Sequence, residues 1–324
     1  MSRVVKILSI DGGGIRGLIP ALILAEIEQR TQRPIADLFD LIVGTSTGGV
    51  IALGLTKPDA TGKPVYSASD LATLYRTKGD QIFSRSPLRR FTSFGNIIDE
   101  KYDSKGIEHF LQDYFGSTQL KDVLTNVLIT SYEIERRFPF FFKSERAQRD
   151  EHYDFPMWQV ARATTAAPTY FEPLQIEIEG HQDYYALIDG GVFANNPAMC
   201  GYVEAQRMYP DANDMLVVSL GTGSITRRLS LDAAQGWGVL EWAQPILGIA
   251  FDGVSSTVDY QLQMLLPQNG TGRRYYRFQT RLDEENDDLD DIRPENLRVI
   301  QILAESIIRN NGALIHDLCE QLTT

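Results

Sequence analysis

The most constraining feature is the first 55 residues. Two β-type runs each end in a glycine-rich turn, and each turn opens a helical pattern. Val4–Ile10 is a nearly continuous apolar run rich in β-branched residues, as in parallel strands buried on both faces. Asp11–Gly17 reads as a loop. Helix follows to about Gln32, with Ile19, Ile23 and Ile27 four residues apart and Pro20 in the first turn, where proline is tolerated. Leu38–Val43 reads as a second strand, Gly44–Gly49 as a tight turn and Val50–Leu55 as helix. Such alternation builds a parallel sheet covered by helices.

The same alternation continues. Strands are expected at Asn126–Tyr132, Phe138–Phe142, Tyr184–Ile188, Met215–Leu220 and Tyr275–Gln279. Helices are expected near Ser69–Gln81, Ser104–Tyr114, Met157–Thr165, Pro197–Met208, Leu240–Leu265 with a break near Gly253, and Pro294–Leu322 with an interruption at Asn311-Gly312. No repeat or Ser/Pro-rich linker divides the 324 residues, so one domain over 1–324 is expected, with a core at 4–223 and a helical extension at 224–324. The fold class is α/β, with three layers and a mostly parallel central sheet.

Charge narrows the partners. Asp plus Glu number 43 against 31 Lys plus Arg, a net charge of −12. Nucleic-acid polymers need clustered cations and are not expected as partners. No run reaches the ~18 apolar residues of a membrane span, and nothing resembles a signal cleavage site. A cytoplasmic protein with at most peripheral membrane contact is expected. The two cysteines, Cys200 and Cys319, lack metal-type spacing and read as buried thiols. Seven of the nine residues in Asp283–Asp291 are acidic, which reads as a solvated loop. Phe83–Phe94 mixes three phenylalanines with Arg85, Arg89 and Arg90 and reads either as a lipid-contact patch or as an ordinary packed loop.

Chemistry concentrates in three segments. Gly44-Thr45-Ser46-Thr47-Gly48 fits G-x-S-x-G between strand and helix. In that context the chain bends so sharply that Gly44 and Gly48 must lack side chains. The turn lifts the Ser46 hydroxyl to the N-terminus of a helix, whose positive end favours developing negative charge. Gly12–Gly17 matches the spacing of a dinucleotide fingerprint, but no acid follows at the end of the second strand. A P-loop fails too, because Gly17 is followed by Leu18-Ile19. The reading left for Gly12, Gly13 and Gly14 is an oxyanion hole of bare backbone amides beside Ser46. Arg16 then steadies the loop or meets an anionic head group.

The residues alone leave the general base open. An α/β-hydrolase needs a histidine after the serine, and His316 and His181 are the candidates, one in a helical pattern and one in a hairpin turn. Asp189-Gly190-Gly191 follows an apolar strand, where a catalytic carboxylate is often mounted; an ordinary Asp-Gly turn looks the same.

Taken in order, DGGGIRG, GTSTGG and DGG resemble the patatin-like phospholipase family. Supporting stretches are SYEIERRFPFFFKS at Ser131–Ser144, ATTAAPTYFEP at Ala163–Pro173, Asn195-Asn196-Pro197 and SLGTG at Ser219–Gly223. The resemblance spans Val4 to Gly223 and weakens beyond. It implies a Ser–Asp dyad, with Ser46 as nucleophile, Asp189 as base and Gly12, Gly13 and Gly14 as the oxyanion loop. It implies hydrolysis of carboxylic esters in membrane glycerolipids or small lipids, with no cofactor and no metal. Bacterial members include effectors switched on by cyclic nucleotides, so a cyclic-nucleotide activator is an open partner. The rival readings are a histidine-based esterase, a nucleotide-dependent oxidoreductase and a non-catalytic lipid-binding or signalling protein.

Overall fold

In a computed structural model the structure describes residues 3–82, 104–178, 183–225, 229–243, 245–266, 272–283 and 288–324. The first half runs β1 (Val4–Ile10), α1 (Leu18–Thr31), β2 (Leu41–Thr45), α2 (Thr47–Thr56), α3 (Ala68–Ile82), α4 (Ser104–Phe115), β3 (Asn126–Glu133) and β4 (Phe138–Lys143). The second half runs α5 (Ser144–Ala147), α6 (Met157–Thr164), β5 (Leu174–Glu177), β6 (Tyr184–Asp189), α7 (Gly191–Ala194), α8 (Ala198–Met208) and β7 (Asp214–Leu220). It ends with β8 (Ser224–Ile225), α9 (Leu231–Ala234), α10 (Val239–Ala243), α11 (Pro245–Leu265), β9 (Tyr275–Phe278), β10 (Arg281–Leu282), α12 (Pro294–Asn310) and α13 (Gly312–Thr323).

The central sheet has the order β5-β6-β3-β2-β1-β7-β9, with β4 also on β3. Pairing is parallel from β3 through β2, β1 and β7 to β9, and antiparallel where β4 and β6 meet β3 and where β5 meets β6. The period of two along each strand separates the layers. Leu8, Ile10, Ile42 and Val218 face the cluster that holds α1, α2 and the last two helices. Val5, Ile7, Leu41, Val43 and Val217 face Ala198 and Ala205 of α8 and Leu262 of α11. The expected three-layer α/β/α arrangement is present.

One register detail positions the chemistry. β2 follows β3 as far as Thr45 beside Thr130, and β4 lies on the other edge of β3. The next residue, Ser131, pairs with Asp189 of β6. A strand has only two edges, so β6 takes the edge that β2 vacates. The end of β6 therefore meets the end of β2, although some 140 residues separate them in sequence.

Two expectations need correction. α11 is continuous through Gly253, where a Cβ would meet nothing within 4 Å and nothing forces a break; the helix instead starts at Pro245, a residue suited to a first turn. Within the stretch after Gly223 the expected strand at Tyr275–Gln279 is present as β9, which pairs in parallel with β7 and completes the sheet. The acidic run is not simply solvated at its described end: the Leu289 carbonyl accepts the Ile15 N–H at 2.8 Å, and Asp291 pairs with Arg293 at 2.6 Å. Phe83–Phe94 and His181 lie outside the described residues. No helix among the described residues is long and apolar enough to cross a membrane.

Candidate active site

The turn after β2 is as sharp as the motif requires. Ser46 has φ 54° and ψ −124°, a region that non-glycine residues seldom occupy. The flanking glycines explain themselves by distance. A Cβ on Gly44 would stand 2.3 Å from the Gly48 carbonyl oxygen, and one on Gly48 would stand 2.2 Å from the Ile10 oxygen. Both obstacles are backbone, so neither can swing aside. Gly48→Ala is expected to cost about 1–3 kcal/mol of stability or more and most of any esterase activity. Urea unfolding beside a short-chain ester assay checks this, and a fully active, equally stable variant would contradict it.

The strained turn is held by threonines. The Ser46 N–H donates to Thr164 Oγ1 at 2.8 Å, and Thr164 Oγ1 donates to the Thr130 carbonyl at 2.7 Å. Thr45 Oγ1 donates to the Ala194 carbonyl at 2.6 Å and lies 2.7 Å from Thr130 Oγ1. β2, β3, α6 and α7 are thus tied at the point where Ser46 leaves the sheet.

Asp189 is buried, and the Ser46 side chain acts on its carboxyl, drawing the pKa down. The Gly191 N–H donates to Asp189 Oδ1 at 2.7 Å. Burial pushes the carboxyl up to about 7, against the pull of the bonds from Ser46 and Gly191. A carboxylate so raised is a far better proton acceptor near neutral pH than an exposed one.

The glycine loop divides its work. The Gly12 N–H donates to the Asn195 carbonyl at 3.0 Å, so Gly12 does not serve as an oxyanion donor in this geometry. Its value is steric: a Cβ there would lie 2.5 Å from Asn195 Oδ1 and 3.3 Å from Ser46 Cβ. Among the described residues, the N–H groups of Gly13 and Gly14 have no protein partner. Gly14 has φ +58°, which glycine takes without strain. Arg16 is buried, and its Nε donates to the Gly13 carbonyl at 3.2 Å, so it steadies the loop from inside.

Several supporting residues escaped the sequence reading. Thr222 Oγ1 donates to the Gly12 carbonyl at 2.6 Å, which gives SLGTG a purpose. Arg277 on β9 grips Asp11 with two nitrogens at 3.0 and 2.6 Å, and Ser255 of α11 stands 3.5 Å from the same carboxylate. Burial pushes the Asp11 carboxyl up, and Arg277 pulls it back. Arg277→Met leaves that buried carboxylate without its cation, which is expected to cost about 3–5 kcal/mol at pH 8. Part of the loss should return at acid pH, where Asp11 binds a proton. Urea unfolding at pH 8 and pH 5 reads both; unchanged stability would remove the pair from the structural account.

His316 is 70% exposed on α13, 3.5 Å from Glu320, and His109 is exposed on α4 beside Asp113. Among the described residues, no group of three or more His, Cys, Asp or Glu side chains is placed to hold a metal ion.

The patatin-like phospholipase family model matches residues 8–199. Patatin-like protein 2 of Arabidopsis thaliana is 32% identical, over 97% of this chain and 85% of its own length. Patatin-like protein 4 of Arabidopsis thaliana is 31% identical over 95% of this chain and 84% of its own. A Solanum tuberosum protein described as probable inactive patatin-3-Kuras 1 is 29% identical, over 96% and 88% of the respective chains.

Proposed function

Because the chain belongs to the patatin-like phospholipase family and is a lipid acyl hydrolase, we propose that it cleaves carboxylic esters of glycerolipids through a Ser46–Asp189 dyad. The observation that carries this reading is that the end of β6 brings a buried Asp189, its pKa pushed up to about 7, to the end of β2 where the strained Ser46 turns.

Ser46 Oγ attacks the ester carbonyl while Asp189 takes its proton. The oxyanion that forms is met by the N–H groups of Gly13 and Gly14 and by the N-terminus of α2, which begins at Thr47. Asp189 returns the proton to the leaving alkoxide, which departs as the lysolipid alcohol. A water then gives its proton to Asp189, attacks the acyl-Ser46 carbonyl and frees the fatty acid as Ser46 recovers its hydrogen. A single carboxylate suffices because it is desolvated, in contact with the hydroxyl and helped by fixed donors.

The test is release of free fatty acid from phosphatidylcholine and galactolipid, followed by mass spectrometry with and without chelator. Release that the chelator leaves unchanged is expected. No release from either lipid, or release restored only by added calcium, would overturn the reading.

A further inference from the structure

The chain between Arg228 and Arg273 contains no lysine, arginine or histidine and only four acids, Asp232, Glu241, Asp252 and Asp259. Its described parts expose more apolar surface than solvent contact favours. Val239 is 86% exposed and Leu231 72%, with Ile246 and Ile249 near half. Trp237 and Trp242 meet edge to face, centroids 5.1 Å apart, and with Val239 and Ile246 they line an open groove of about 530 Å³. Scattered exposed apolar side chains are ordinary; a contiguous aromatic and aliphatic face is a contact surface.

Its position relates it to the catalytic site. α11 runs back along the sheet. Leu262, near its end, packs with Val5 and Tyr275, where β1 and β9 begin. Phe251 and Ser255 lie level with the opposite, catalytic edge: Phe251 is 3.7 Å from where a Gly191 Cβ would stand, and Ser255 faces Asp11. Ile246 and Ile249 precede these residues, so the helix start lies roughly 8–14 Å beyond the catalytic level at 1.5 Å per residue. α10 packs against α11, and β7 ends at the catalytic edge, where Leu220 lies beside Ile10. The apolar face therefore borders the mouth through which a lipid must reach Ser46.

We propose that Leu231, Trp237, Val239, Trp242, Ile246 and Ile249 form the face that seats the protein on a zwitterionic bilayer, with the catalytic edge toward the lipid. This rests on the lipid acyl hydrolase reading and adds the surface that delivers the substrate. The chemistry fits one kind of membrane. Tryptophan rings suit the headgroup boundary, and aliphatic side chains enter the acyl region. A chain of net charge −12 with no cation in this segment gains no attraction from anionic lipid.

The test separates docking from turnover. The 324-residue chain and its L231Q/V239Q/I249Q variant, each also carrying Ser46→Ala, are floated with phosphatidylcholine vesicles. Glutamine leaves the net charge unchanged. The variant should bind about 100-fold more weakly or worse, because each lost aliphatic contact is worth roughly a factor of ten. With Ser46 intact, hydrolysis of vesicle lipid should fall in parallel, while a soluble short-chain ester is cleaved within about twofold of the parent rate. Tryptophan emission should shift to the blue on vesicles in the parent and not in the variant. Replacing half the lipid with phosphatidylglycerol should weaken flotation. Equal flotation of parent and variant, tighter binding to the anionic vesicles, equal loss on both substrates, or a dimer that the variant splits would each overturn the docking face. A parent that floats but cleaves neither substrate would sink the hydrolase reading and leave the docking face standing.

Discussion

Ser46→Ala is expected to fold, to release no measurable fatty acid from phospholipid and to resist covalent labelling by a fluorophosphonate. Both reactions need the same oxygen, so they should vanish together, with turnover down at least about 10⁴-fold. Folding should survive because alanine meets the same φ of 54° with no bulkier side chain, and the threonine ties grip the backbone at residue 46 and not the hydroxyl. The variant should also perturb its neighbour. Asp189 loses a hydrogen bond that lowers its pKa, so its carboxyl should titrate above about 7. Labelling that persists in the Ser46→Ala protein would place the nucleophile elsewhere. Wild-type turnover in a protein that no longer labels would show that the probe reads a different site.

The sharp turn at Ser46 was legible in the sequence, and its approach to Asp189 only half so. Glycines at 44 and 48 are local demands of a turn, and local demands leave local marks. The pairing of Asp189 with Ser131 is a long-range register in which β6 replaces β2 along β3, and no single segment records that. The same distinction explains the glycine loop. Spacing marks Gly12, Gly13 and Gly14 alike, yet the Asn195 carbonyl takes the Gly12 N–H and leaves the other two open. Arg277 escaped for the same reason. It lies on a β9 strand of ordinary apolar pattern, beyond the resemblance, and only the parallel pairing with β7 brings it to Asp11. The missed strand β5 is four residues long and pairs only with β6, too short for its alternation to register.

Asp189→Asn decides whether the base is a lone carboxylate. The amide is close to isosteric, and its oxygen can keep the bond from the Gly191 N–H, but it cannot take a proton from Ser46. Turnover should fall by about 10²–10⁴-fold or more. The wild-type enzyme should gain rate as pH rises through about 7, because the base works only when ionised, and that limb should be missing from whatever activity the variant retains. Stability should move the other way. An acid whose pKa is raised in the folded state holds more protons folded than unfolded between its ordinary value near 4 and about 7, so wild-type stability falls as pH climbs through that window. The amide variant carries no buried charge there and should be the more stable protein at pH 8, with little advantage at pH 4. A urea titration at the two pH values reads the difference. His316→Ala serves as the counterpart: it should keep most activity, since His316 is exposed and pairs with Glu320. Members of a triad act as a unit, so one histidine variant as inactive as Ser46→Ala would replace the dyad with a triad. An Asp189→Asn enzyme of full activity would remove Asp189 from the chemistry, whatever the histidines did.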